Sequence, residues 1–167
     1  MIKVTLKNKK KNYGFSLIEV LIACAIITTS IFALISTAQK GISLSNQALR
    51  ATQASFLAEE GSEAVKSIRD GSWATISALS LNTTYYITYN TSTNTWSLST
   101  TPTAAIDSIF TRTVTFSQVL RDSNDDIAAT GTADSRTKKV TVVVSWVSSD
   151  GSTISQTVPF YLADIFT

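Results

Sequence analysis

Residues 14–35 read GFSLIEVLIACAIITTSIFALI, and the reading of this stretch decides the fold. From Phe15 to Ile35 the only charged side chain is Glu19. Wound as a helix at about 1.5 Å per residue, those residues reach about 31 Å, enough to cross the hydrocarbon core of a bilayer. The preceding residues are basic: Lys3, Lys7, Lys9, Lys10 and Lys11 stand there without an acid. Flanking lysines are retained in the cytoplasm, so this end is expected inside and the remainder outside. The chain carries +2 in total, so the portion after Gly14 is acidic, at −3. The basic balance thus belongs to the leader and not to a nucleic-acid-binding face, and no nucleic-acid partner is expected. The later cluster of Arg136, Lys138 and Lys139 reads as a solvated strand edge.

Two explanations compete for the apolar block. An ordinary secretory signal would be cut near Ser36-Thr37-Ala38. However, the block is longer than the apolar core of such a signal, and helical patterning continues past that cut. Glu19 also sits within it, where a carboxylate costs about 2.5–3.5 kcal/mol on insertion scales. The run Gly14-Phe15-Ser16-Leu17-Ile18-Glu19, behind a basic leader and ahead of a full membrane span, resembles the processing site of type IV pilin and pseudopilin precursors.

The resemblance implies that a prepilin peptidase cuts after Gly14 and methylates the new amino terminus at Phe15. The residue types suit this. Gly14 presents no side chain to a peptidase, and cleavage removes all five leader lysines. Glu19 lies about one helical turn beyond the new amine. A carboxylate in lipid needs a partner, and the amino terminus of a neighbouring subunit is a suitable one. The implied role is a structural subunit of a type IV pilus or a related type II secretion-like filament. Its partners would be other pilin or pseudopilin subunits, the prepilin peptidase and an inner-membrane assembly platform. The precursor would cross the inner membrane once, with its N-terminus cytoplasmic, and the assembled subunit would lie in a periplasmic or extracellular filament. The rival reading is a monomeric anchored or secreted binding protein. No enzyme is expected, and no cofactor. The chain has no histidine, and its one cysteine, Cys24, lies inside the apolar block, so no intramolecular disulfide can form.

Beyond the membrane half, residues 36–70 keep a helical pattern but turn amphipathic. Ile42, Leu49 and Phe56 recur every seven residues and are expected to pack on a sheet, with Ala38, Ala64, Val65 and Ile68 near the same stripe. Gly41 and Gly61 read as weak points in the helix, and Gly71 as a left-handed cap that stops it. Glu59, Glu60 and Glu63 read as a solvated face or a source of salt bridges between subunits. Thr28, Thr29 and Ser30 are expected to bond back to helix carbonyls. The segment from Phe56 to Asp70 also resembles the globular half-helix of minor pilins.

From Ser72 onward the period changes to two. Tyr85–Tyr89 and Thr95–Leu98 flank a polar turn and read as a hairpin. Phe110–Leu120, Lys139–Val147 and Thr153–Leu162 read as further strands. A three-residue loop at Ser149-Asp150-Gly151, with Gly151 left-handed, keeps the apolar faces of the last two strands aligned by pairing Trp146 with Ile154 and Val142 with Val158. Pro159 is expected where its missing N–H faces away from the ladder. The fold class is therefore α+β, a long N-terminal helix packed on a C-terminal antiparallel sheet of four to five strands. The expected organisation is a leader at 1–14, a membrane and assembly half-helix at 15–38, an amphipathic half-helix at 39–71 and an exported β-rich domain at 72–167. Asp122, Asn124 and Asp126 place oxygens at alternate positions, as calcium ligands would be, but no glycine or closing glutamate follows, so a polar turn is the expected reading.

Overall fold

A computed structural model describes Gly14 and residues 16–165. The elements in order are α1 (Leu17–Gly71), α2 (Trp73–Ser77), β1 (Thr84–Asn90), β2 (Thr95–Ser99), β3 (Thr111–Arg121), β4 (Ile127–Ala128), β5 (Thr132–Val147) and β6 (Thr153–Ala163). Two compact units divide the chain, one ending at Leu44 and one starting at Ser45, and α1 belongs to both.

In the first unit the helix is apolar and unburied. It is long and apolar enough to cross a membrane. Leu17, Leu21, Ile22, Ile26 and Phe32 are all exposed. The expected back-bonding is present. The Thr28 hydroxyl donates to the Cys24 carbonyl at 2.9 Å, Thr29 to Ala25 at 2.9 Å, Ser30 to Ile26 at 2.7 Å and Thr37 to Ala33 at 2.9 Å. These hydroxyls therefore need no outside partner in an apolar medium.

In the second unit α1 packs on an antiparallel sheet whose strands run β2-β1-β3-β5-β6, with the two-residue β4 added beside β3. The expectation of four to five strands is met by the main path, and β4 is the sixth among the described residues. The helix face that meets the sheet differs in part from the expected stripe: Ala64 and Val65 lie in the core and Ile68 packs against it as expected, but the residues of the seven-residue repeat do not. Ile42, Leu49 and Phe56 are 64%, 59% and 67% exposed, whereas Ala54, Ala58, Gly61, Ala64 and Val65 are buried. The physical reason is approach distance. Small residues let the helix backbone sit close to Val142 and Ile87, where a bulky stripe would hold it off. A Cβ built on Gly61 would lie 2.9 Å from Val142 Cγ1 and 3.0 Å from Arg112 Cδ. Gly61 is thus a close-packing position and not merely a weak one. Gly71 ends the helix without a positive φ. Ser72, fully extended at φ −170°, leads directly into α2, so no left-handed reversal is needed.

The sheet's buried face carries Tyr85 and Ile87, then Val114 and Phe116, then Val140, Val142, Val144 and Trp146, with Phe110, Ile76 and Leu162 closing the core. Fully burying such side chains contributes roughly 1.5–3 kcal/mol each. Tyr85 meets Phe116 edge-on at 5.9 Å, and Phe110 meets Trp146 at 5.9 Å. Arg112 also points inward. Its Nη1 donates to the Leu57 carbonyl at 3.1 Å and to Glu60 Oε2 at 2.8 Å, and its guanidinium lies 5.5 Å over the Trp96 ring. Of Glu59, Glu60 and Glu63, Glu60 therefore ties the helix to β3, and Glu63 pairs with Lys66 at 2.7 Å.

The β5–β6 pairing follows the expected register, with Trp146 opposite Ile154 and Val142 opposite Val158. The Ser148 carbonyl accepts the Gly151 N–H at 3.0 Å, the Ser148 N–H donates to Ser152 at 2.8 Å, and Gly151 has φ +83°. This is the three-residue loop that keeps both apolar faces on one side. β5 begins at Thr132 and not at Lys139, because a bulge interrupts its alternation. Gln118 pairs with Lys138 but Val119 pairs with Asp134, leaving residues 135–137 without a partner in β3. Lys138 consequently turns inward instead of forming a solvated edge. Its Nζ donates to the Ser77 carbonyl at the end of α2, at 3.3 Å, and burial lowers its pKa.

Candidate functional site

The segment singled out by the sequence begins where α1 begins. The Ser16 carbonyl accepts the N–H of Glu19 at 3.0 Å and that of Val20 at 3.2 Å, which starts the helix. Glu19 falls in the first turn, where unpaired backbone N–H groups favour a carboxylate. The role of Ser16 as the residue that opens the helix was not foreseen. The spacing Ser-x-x-Glu, a familiar helix-start pattern, is the signal that marks it. Gly14 is exposed, its φ is not positive, and a Cβ added there would meet nothing within 4 Å. Neither crowding nor backbone strain among the described residues requires a glycine at this position. Phe15 and the leader lysines lie outside the described residues.

The family described as the prokaryotic N-terminal methylation motif matches residues 9–38. The chain carries a prokaryotic N-terminal methylation motif. Such a motif is typical of type IV pilin and pseudopilin precursors, and it implies processing by a prepilin peptidase. The match spans the end of the basic leader with Lys9, Lys10 and Lys11, then Gly14, Glu19 and the apolar half of α1. The rest of the chain agrees in layout, because a helix laid on a multi-strand antiparallel sheet is a pilin-like α+β fold. Neither a curated protein nor a solved structure matches the chain. Within the matched stretch begins the one helix among the described residues that is long and apolar enough to cross a membrane, which is consistent with a membrane anchor or signal.

The other candidate cluster lies in the β3–β4 turn. The Asp122 carboxylate accepts the N–H of Asn124 at 2.8 Å and of Asp126 at 3.1 Å, while Asp125 adopts φ +65°. The Asp122 N–H donates to the Asp126 carbonyl at 2.9 Å, closing the hairpin. Asp122 therefore already serves the turn. Among the described residues, no group of three or more His, Cys, Asp or Glu side chains is placed to hold a metal. Beside the turn, Arg121 Nε donates to Asp134 Oδ2 at 2.7 Å and braces the β5 bulge. That bond is the main reason the Asp134 carboxyl is held down to about 2 from an ordinary 3.8. A cleft of about 540 Å³ opens there, lined by Arg121, Asp134, Arg136 and Asp164 among others.

Proposed function

We propose that this chain is a structural subunit of a type IV pilus or a related secretion-type filament, cut after Gly14 and methylated at Phe15. The observation that carries the reading is the methylation motif over residues 9–38, which takes in an apolar stretch of α1 with Glu19 as its one charged residue up to Ile35. Cleavage converts the precursor into a chain with a cationic amine at its first residue and a carboxylate one turn later. In an apolar environment each group needs an opposite charge. A row of parallel subunits supplies one: Glu19 of one copy receives the amino terminus of the next, which fixes their axial register. The leader, at residues 1–14, stays behind. Residues 15–38 act as membrane and assembly segment, 39–71 as the amphipathic half-helix and 72–167 as the exported domain. The partners are other subunits, the prepilin peptidase and an inner-membrane assembly platform, and the role is structural and not catalytic. The Asp122–Asp126 turn is read as structural, so calcium titration by calorimetry is expected to give no binding heat.

Two measurements test the reading. Mass spectrometry of membrane and sheared-filament fractions should show loss of the first fourteen residues and one added methyl on Phe15. Glu19→Ala should be processed normally yet be absent from sheared filaments. An intact leader in the mature protein would overturn the processing step. Glu19→Ala present in filaments at wild-type abundance would overturn the pairing step.

A further inference from the structure

β6 is the open edge of the sheet, since the strand order ends on it. At Thr153–Ala163 it is long for an edge, and its sequence TISQTVPFYLA contains no charged residue. A long, uncharged edge strand of high β propensity is a template for pairing with another chain. The opposite edge, β2, is limited to Thr95–Ser99.

The register shows which way each β6 amide points. Ser148 pairs with Ser152 through a backbone hydrogen bond, and the Asp164 N–H donates to Arg136 at the far end of the same ladder. In an antiparallel ladder hydrogen-bonded pairs alternate with pairs that are not. Even-numbered β6 residues therefore bond to β5, and odd-numbered ones direct their N–H and C=O off the edge. Pro159 lies opposite Thr141, in the second class. Its nitrogen points outward, where it costs the fold no hydrogen bond and where a proline ring occupies the place of a donor. At position 158 or 160 the same ring would break a bond to β5.

We propose that Pro159 is a guard residue that keeps the open β6 edge from pairing with β6 of a second copy of this chain. The edge is self-complementary. Two such strands placed antiparallel about a two-fold axis oppose no like charges, so nothing electrostatic resists the pairing. The guard sits just past the middle of the strand, so a ladder across the edge must include it or be confined to one flank, at most residues 153–158. This inference is independent of the filament reading, because it concerns only the sheet.

The test uses the full chain in detergent micelles, with light scattering after size exclusion over a concentration series, thioflavin fluorescence and circular dichroism. Pro159→Thr should stay folded and form larger species than wild type at matched concentration and detergent ratio, with at least a two-fold rise in mass at the highest concentration. Moving the guard to another outward position, in the double variant Thr157→Pro with Pro159→Thr, should return the mass to the wild-type value. The proposal is overturned if folded Pro159→Thr matches wild type in mass, or if the double variant associates as strongly as the single one. Loss of the folded signal in Pro159→Thr would also overturn it, because an outward nitrogen has no part in holding the fold.

Discussion

Gly61→Ala sets two physical effects against each other at one position. In an isolated helix the change would stabilise by about 1 kcal/mol, because alanine restricts the unfolded chain and favours helix. In this structure the new methyl would lie 2.9 Å from Val142 Cγ1 and 3.0 Å from Arg112 Cδ, with Ile87 Cδ1 at 3.5 Å. Val142 is fully buried and β-branched, and Arg112 is held by the Leu57 carbonyl and Glu60. Neither yields freely, and overpacking of this kind costs about 1–3 kcal/mol. The net expectation is a loss of about 1 kcal/mol, or a fall in midpoint of roughly 3–6 °C for a unit of this size. Gly71→Ala is the control: a Cβ there meets nothing within 4 Å and the residue has no positive φ, so stability should hold or rise slightly. Fluorescence of Trp73, Trp96 and Trp146 during thermal unfolding of the full chain reports the transition. Gly61→Ala unfolding at or above the wild-type temperature would refute the close-packing account of this helix face.

The Arg121 bond depresses the Asp134 carboxyl to about 2, so the stability it confers is fully present above about pH 4 and is lost as pH falls through about 2. Urea midpoints should therefore drop between pH 4 and pH 2 in wild type, and drop less in Asp134→Asn. Gly131 has φ +147° and a Cβ there would overlap the Arg121 carbonyl. Gly131→Ala should cost about 2 kcal/mol or more by denaturant unfolding, and more than Gly151→Ala, which bears the strain of φ +83° but meets open space. The Arg112 side chain is 5% exposed while that of Glu60 is 48% exposed, so their pair is partly screened. A double-mutant cycle with Arg112→Met and Glu60→Ala should give a coupling of about 1 kcal/mol, the double variant losing less than the two singles summed.

The apolar half of α1 and the motif were legible because one residue, Glu19, breaks a long apolar run at a characteristic offset. The β5–β6 hairpin was legible because period two dominates Val140–Trp146 and Ile154–Leu162, with Gln156 and Val143 as its interruptions, and a three-residue loop keeps those faces aligned. The docking face of the helix was legible only in part, through Ala64, Val65 and Ile68. Ile42, Leu49 and Phe56 carry the strongest hydrophobic signal, but Ala54, Ala58 and Gly61 are the residues buried, and small residues contribute little to any hydrophobic pattern. The start of β5 was hidden for a related reason. Its bulge places Ser135 to Thr137 out of register with β3, and Lys138 faces inward on a long apolar stem. Charge suggested a solvated edge, and only the carbonyl at the end of α2 explains the burial. Arg112 was overlooked likewise, as its partner Glu60 is 52 residues away in sequence.

The back-bonded hydroxyls of Thr28, Thr29, Ser30 and Thr37 bear on how such a helix changes surroundings. Each hydroxyl carries its acceptor with it, so moving that stretch from lipid into any other dry environment alters little of its solvation. Partitioning between the two then falls to the one charged side chain at the start of the helix. On the proposed filament reading, a segment built this way would be nearly indifferent to which apolar neighbours surround its middle and selective only at its tip, through the single carboxylate of Glu19.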